Sequence, residues 1–470
     1  MKHLIFTALC FALICFSCHP GKDESPEKPN ILFLLADDLG YGELGSYGQN
    51  VIRTPVLDEL AEKGMRFTDF YAGNAVCSPS RAVLMTGKHA GHATIRGNVG
   101  LFENGLWKRV PLRKDEITLG ELMKTAGYQT AFIGKWHLDD PDDLSTWAMS
   151  RGFDYVVQEQ WSSPEDKRIF DERMHWINNM QDSMFYDKEK YECIDEFRTN
   201  FALEYLRKKD PSKPFFLFMS YRIPHAHERY IRNREMYAEH EWPDVERRHA
   251  ARITMLDHQI GRLLDTLKQT GDLKNTLVIF TSDNGAHHEL GHNHLFFNST
   301  GGLKGYKRDL YEGGIRIPMI ACWDGKIEPG TVSSRPGAFY DFMPTLAEAA
   351  GIETPHVTDG ISLLPVMLGK EQCEHAYLYW EIQLPVIDKD LPDGGFRQAA
   401  RVGKWKGVRY GIHAPLELYN LENDIYETTD LSEEYTDITD QMLECFNEAR
   451  EETGHFPFGG VKNGNITSEQ

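Results

Sequence analysis

Apolar and polar positions fall into two alternating rhythms along this chain. Pro29-Asn-Ile-Leu-Phe-Leu-Leu-Ala36 is a mostly apolar run of strand length, the pattern of a strand buried on both faces of a parallel sheet, and it ends in Asp37-Asp38-Leu-Gly40. Leu119 to Ala126 has helical spacing, with Thr118 as its N-cap and Gly127 closing it. Thr130 to Gly134 then predicts a short strand that runs directly into Lys135-Trp-His137. Phe215 to Ser220 predicts another, leading into Tyr-Arg-Ile-Pro-His225. A long helix carries Ile253, Leu256, Ile260, Leu263, Leu264 and Leu267 on one face, and the strand Thr276 to Thr281 after it ends in Ser-Asp283-Asn284-Gly.

Strands alternating with helices predict an α/β fold with an open parallel sheet. From about Cys373 the rhythm changes to short strand-like pieces, Tyr377 to Glu381, Gln398 to Val402 and Trp405 to Tyr410, followed by a last helix near Asp440 to Glu452. The expected division is a main domain over residues 29–372 and a smaller α+β subdomain over residues 373–470. Ligands of open α/β sheets gather outside the carboxyl ends of the strands. Four polar motifs follow predicted strands here, and that convergence points to a single site.

Composition narrows the function. A chain of 470 residues with 41% hydrophobic content can bury a large core, and a formal net charge of −20 argues against a nucleic-acid partner, which calls for a basic surface. Residues 1–18 read as Lys2, an apolar run from Leu4 to Phe16, then Ser17 and Cys18, which is too short for a membrane span and has the form of an export signal. Two readings stay open, an ordinary cleaved signal or a lipoprotein signal in which Cys18 carries the lipid and residues 19–28 form a polar tether. Either way the protein is expected to be exported, in a bacterial periplasm or lipid-anchored at a membrane. Beyond the three cysteines of the signal segment, the remaining five show no CxxC pair and no dense framework, which excludes a disulfide scaffold.

Among the motifs, Cys77-Ser-Pro79-Ser-Arg81 places a cysteine at a predicted helix start, where free N–H groups and the positive dipole end favour an anion. Asp37, Asp38, Asp283 and Asn284 offer hard oxygen ligands from two strand ends, a set suited to calcium rather than zinc. Alternation in an extended segment would put Lys135 and His137 on one face, where both could meet one anion. His287, His288, His292 and His294 have a spacing that suggests zinc, although the loop lacks cysteine and a helical register.

Cys-x-Pro-x-Arg, continued through Ala-Val-Leu-Met-Thr-Gly87, resembles the signature of the type I sulfatases of the alkaline phosphatase superfamily. Gly-Lys-Trp-His137, Ile-Pro-His225 and the Lys307-x-x-x-x-Glu-Gly-Gly314 pattern are similar to further motifs of that family, as are Asp359-Gly-Ile-Ser-Leu-Leu-Pro365, Trp405-Lys and Leu418-Tyr-Asn-Leu-Glu-Asn-Asp424. The resemblance spans roughly Lys28 to Glu434. It implies an alkaline-phosphatase-like fold, a large mixed, mostly parallel sheet between helices with a smaller C-terminal α+β subdomain beside it, and a catalytic domain over 29–372. It also implies that a maturation enzyme oxidises Cys77 to formylglycine, that Arg81 holds it, and that calcium is bound by Asp37, Asp38, Asp283 and Asn284 with residue 77. Lys135, His137, His225 and Lys307 would be the remaining catalytic groups, with Lys304 at the family's upstream basic position.

The implied substrate is a sulfated carbohydrate, with Ser162, His175, Trp380 and Arg401 as candidate substrate contacts. Two alternatives remain open, a phosphonate monoester or phosphodiester hydrolase of the same fold and a silent sulfated-glycan-binding protein.

Overall fold

A computed structural model describes residues 28–160, 174–180, 182–227, 231–233, 235–355, 358–385 and 395–460. The expected signal at 1–18 and Ser162 lie outside them. Ten strands form one sheet: β1 (Asn30–Asp37), β2 (Met65–Phe67), β3 (Gln129–Gly134), β4 (Tyr155–Glu159), β5 (Met174–Ile177), β6 (Asp182–Phe185), β7 (Phe215–Pro224), β8 (Thr276–Ser282), β9 (Met319–Cys322) and β10 (Thr331–Ser333). Their order is β10-β2-β9-β8-β1-β7-β3-β4-β5-β6. The central five, β8-β1-β7-β3-β4, are mutually parallel, whereas β9 joins β8, and β5 joins β4, antiparallel. The parallel core expected from the alternating pattern is therefore present, within the large mixed sheet that the family resemblance implies.

The period-two geometry of β1 explains the layering. Ile31, Phe33 and Leu35 enter one apolar core, and Leu32, Leu34 and Ala36 enter the other. Helices α2 (Cys77–Thr86), α3 (Leu119–Thr125) and α6 (Phe342–Ala349) cover the first face. Helices α1 (Pro55–Lys63), α4 (Ile194–Lys208) and α5 (Asp244–Thr270) cover the second. Local signals start and stop these helices as the residues suggest: Thr118 accepts from Glu121 N while the Glu121 side chain accepts from Thr118 N, a capping box opening α3.

A separate antiparallel sheet of β11 (Leu378–Gln383), β12 (Phe396–Val402), β13 (Trp405–Tyr410) and β14 (Glu417–Asn420) lies at the C-terminal end, with α7 (Thr436–Glu448) packed on it. Leu378, Trp380 and Ile382 of β11 join the first core, and Tyr379 faces α7. A buried ion cluster also fastens this sheet to the main domain, since Lys406 Nζ of β13 lies 2.8 Å from Glu312 Oε1 and 2.9 Å from Glu427 Oε1. The five described cysteines are all free thiols.

One backbone detail places the Lys135 segment. Gly134 ends β3 with φ 121°, and a Cβ there would sit 1.8 Å from the Ser220 carbonyl oxygen of the neighbouring β7. Gly134→Ala is expected to destabilise the protein by at least about 2 kcal/mol, through left-handed strain plus collision with a sheet backbone. Urea unfolding of the two proteins checks this; an unchanged midpoint would contradict it.

Candidate active site

The strand ends meet where the pattern suggested. β1 delivers Asp37 and Asp38, β8 delivers Asp283 and Asn284, β3 leads to Lys135 and His137, and β7 leads to His225. Helix α2 points its first residue, Cys77, into the same point. Its N-cap, Val76, has no side-chain acceptor for the first-turn N–H groups. Asn98 Oδ1 accepts from Ser78 N at 3.1 Å, and Pro79 has no N–H to satisfy.

Cys77 Sγ lies 3.5 Å from Asp37 Oδ1 and 4.0 Å from Asp38 Oδ1. Lys135 Nζ grips both Asp37 oxygens at 2.8 and 2.7 Å, and Lys307 Nζ lies 2.8 Å from Asp38 Oδ2. Arg81, one turn into α2, ties the set together: its Nε donates to Asp283 Oδ2 at 2.9 Å and its Nη1 to Lys135 O and Ser220 Oγ at 2.7 and 2.6 Å. Asp38 takes a left-handed φ of 68°, and its N–H donates to Asp283 Oδ1 at 3.0 Å, so successive residues of one strand end both serve the cluster. His225 Nε2 lies 3.7 Å from Asp38 Oδ2, and its Nδ1 accepts from His227 N, which leaves the Nε2 proton facing the cluster.

The Lys135–His137 segment departs from simple alternation. Gly134 and His137 both have positive φ, 121° and 61°, so their directions come from a turn rather than a strand pleat. His137 is nevertheless buried, and its carbonyl accepts from Ser78 Oγ at 2.9 Å, beside the head of α2.

Every member of the cluster is at most 6% exposed, so burial works against each charge and the partners decide the outcome. Burial raises Asp37, but Lys135, Arg81 and Arg222 overcome it and hold its carboxyl below the ordinary range. Asp283 is pushed up to about 7 by burial and by Asp37, and Asp38 is raised by burial with Asp37 adding to it. Burial pushes the Cys77 thiol up to about 12, so as cysteine it is not a thiolate at neutral pH. His225 and His137 are held neutral, first by burial and then by nearby cations.

Asp37, Asp38, Asp283 and Cys77 present ligand atoms all within 4.8 Å of one another, and Asn284 Oδ1 is buried beside them without a hydrogen-bond partner. Three carboxylates and an orphaned amide oxygen fit a hard divalent cation. Sequence reasoning missed the residues that brace these groups: Arg222 and Ser220 of β7, Asn98, and Glu289, whose Oε2 lies 3.1 Å from Lys307 Nζ. Arg222 stands inside the Tyr-Arg-Ile-Pro-His225 segment, where a charged residue in an otherwise apolar strand was the available signal.

Other candidates are not brought to the cluster. Arg198 Nε donates to His175 Nε2 at 3.1 Å, and the His175 ring packs on Phe197. Trp380 is fully buried with Nε1 donating to Ala72 O, and Arg401 pairs with Asp69 and Tyr71 at 2.9 and 2.7 Å. Lys304 stands away from the cluster, 2.9 Å from Tyr419 Oη.

A family profile described as Sulfatase matches residues 29–352, and one described as N-sulphoglucosamine sulphohydrolase, C-terminal, matches residues 304–452. N-acetylgalactosamine-6-sulfatase of Canis lupus familiaris is 32% identical over 382 residues, covering 77% of this chain and 70% of that protein. The chain belongs to the sulfatase family. Arylsulfatase A of Bos taurus is 32% identical over 407 residues, covering 80% of this sulfatase and 74% of its own length. The crystal structure of Ps i-CgsB has a TM-score of 0.73 at 26% identity, covering 92% of this chain and 95% of that one. This sulfatase is thus a sulfuric ester hydrolase of the alkaline-phosphatase-like fold.

The raised carboxyl of Asp283 has a stability consequence. A group with a raised folded-state pKa favours the fold below its unfolded value, near 3.8, and loses that contribution as pH climbs through about 7. Chelator-treated sulfatase is therefore expected to lose several degrees of Tm between pH 5 and pH 8, and Asp283→Asn is expected to flatten that slope. Parallel slopes for the two proteins would contradict the assignment.

Proposed function

We propose that this sulfatase is an exported enzyme that removes sulfate from a sugar of a sulfated glycan, using formylglycine made from Cys77 and a calcium ion. The carrying observation is the buried thiol at the head of α2, enclosed by three aspartates, two lysines and His225. Two relatives support the sugar: one is named for N-acetylgalactosamine-6-sulfate, and Ps i-CgsB has been solved in complex with k-i-k-neocarrahexaose. The Lys2–Cys18 segment supports export.

The Cys77 Sγ position stands in for the hydroxyl oxygens of a hydrated aldehyde, which supply a nucleophile to sulfur and a second hydroxyl to expel sulfate afterwards. Asp37, Asp38, Asp283 and Asn284 would hold the calcium ion, which would supply positive charge beside the sulfate oxygens. Lys135 and Lys307 flank the same point and hold the non-bridging oxygens. Asp283 accepts the nucleophile's proton, and Arg81 keeps its carboxylate in place. His225 presents its Nε2 proton to the departing alkoxide, and His137 assists the second hydroxyl.

A sugar alkoxide leaves poorly unless protonated, whereas a nitrophenolate does not need the proton. His225→Ala is expected to lower kcat on sugar sulfates by roughly 10²- to 10⁴-fold and on an aryl sulfate far less. Equal losses on both would remove His225 from the acid role. Peptide mass analysis of protein co-produced with a maturation enzyme is expected to show an aldehyde at residue 77, and Cys77→Ser to be inactive. An active enzyme retaining an unmodified thiol would refute the formylglycine reading, and faster hydrolysis of a phosphonate monoester than of the matching sulfate ester would refute the sulfatase specificity.

A further inference from the structure

The histidine-rich loop after Asn284 does not gather its four histidines around one point. His288 and His294 pair with each other through Nδ1 atoms at 3.0 Å, while His287 and His292 are buried against His249 of helix α5. The His249 and His292 rings stack face to face at 3.8 Å, which turns their lone pairs away from a common ion, so the spacing does not make a zinc site. The loop instead delivers Glu289. Its Oε2 lies 3.1 Å from Lys307 Nζ and its Oε1 2.5 Å from Arg308 Nη2, so one carboxylate joins Lys307 to the next residue in the chain. We propose that Arg308 is a specificity-determining residue that binds a second oxyanion of the substrate, a carboxylate or a further sulfate on the same sugar or the adjoining one.

The position of Arg308 carries the inference. Consecutive side chains of an extended segment point opposite ways, but Arg308 has a left-handed φ of 82°, and the turn this makes lets Lys307 and Arg308 reach the same carboxylate. Exposure then separates them, since the Lys307 side chain is 3% exposed and contacts Asp38, whereas that of Arg308 is 45% exposed. Among the described residues only Nη2 of the guanidinium is engaged, by Glu289, and a planar fork with donors to spare fits a carboxylate or a sulfate. Two hydrogen bonds and the width of one carboxylate separate it from Lys307 Nζ, the reach between anionic substituents of one sugar ring or of two adjoining rings. Glu289 also stands within 4.8 Å of His225 and Asp38, so the pair lies on the side from which the sugar departs.

Anchoring and charge agree with this assignment. Arg308 N donates to Ala75 O at 2.8 Å, two residues before Cys77. From the other side, Arg397 of β12 donates to Arg308 O at 2.7 Å and to Asp309 Oδ1 at 3.0 Å, which also accepts from Tyr410. With the backbone clamped and Glu289 orienting the guanidinium, less freedom is lost when an anion binds. Burial works against the Arg308 charge, but Glu289 and then Asp38 strengthen it, so it stays a cation. A protein of net charge −20 repels a polyanion at long range, and a cation beyond the sulfate point offsets this for a substrate that carries more than one charge.

The proposal rests on the sulfated-sugar reading, so the test uses the matured full-length enzyme on monosulfated hexoses and N-acetylhexosamines. Each is paired with a counterpart carrying a second sulfate and with one linked to a uronate. The wild-type enzyme is expected to favour an anionic counterpart over its parent by about 10- to 100-fold in kcat/KM. Which counterpart gains tells a sulfate from a carboxylate. Arg308→Gln is expected to bring that ratio close to one, and Arg308→Lys, which keeps the charge without the fork, to retain part of it. A merely structural role would lower all rates together and leave the ratio fixed. An unchanged ratio in Arg308→Gln, or a wild-type enzyme that prefers neither counterpart, overturns the proposal. Sulfate release from an aryl ester but from no sugar overturns the glycan reading itself, and this proposal with it.

Discussion

Buried charge is the constraint on which this structure turns. Asp37, Asp38 and Asp283 are fully buried within reach of one another, a repulsive arrangement that the fold tolerates because cations are brought in from other segments. Lys135 answers Asp37, Lys307 answers Asp38, and Arg81 answers Asp283 while also binding backbone at Lys135. Each partner comes from a different part of the chain, so the site forms only when β1, β3, β8, α2 and the loop carrying Lys307 are all in register. Removing Arg81 or Lys307 takes away the nearest cation of a buried carboxylate, so the cluster couples folding to the assembly of the site.

The rest of the architecture serves to hold that point still. Parallel strands buried on both faces supply rigid, aligned carboxyl ends, and helices on either side exclude water from them. The C-terminal sheet contributes through the Lys406, Glu312 and Glu427 cluster, because Glu312 opens the short turn of helix that follows the Lys307 loop. Arg316 binds the same Glu312, so one carboxylate joins the small sheet, the loop and the edge of the large sheet. In a sulfatase this matters because anionic substrate must enter an acidic protein at a place where positive charge has been concentrated.

Much of this was legible in the residues. The apolar runs of β1, β3, β7 and β8 each end in a polar group that reaches the cluster, and the Cys-x-Pro-x-Arg segment does open a helix. The antiparallel edge formed by β5 and β6 was not legible, because its short strands alternate only partly buried residues. Nor were the burial of Trp380 and the pairing of Arg401 with Asp69, since an aromatic or basic residue in a short strand reads the same whether it faces a partner sheet or a ligand. The turn at Gly134 and His137 defeated the alternation argument for Lys135 and His137, which holds only while the backbone stays extended.

By itself the sequence determined the central strands, the polar residues that follow them and the helix start at Cys77, because hydrophobic period and helix-start chemistry are local properties of the chain, while His225 and Lys307 were singled out by the family resemblance. Only the tertiary structure decided which distant residues complete each group: Glu289 at Lys307, Arg222 at Asp37, and His249 with His287 and His292 rather than His288 and His294. Those pairings depend on how α5 and the following loop pack against the sheet. Packing is set by the combined burial of many side chains, and no spacing within one segment records it.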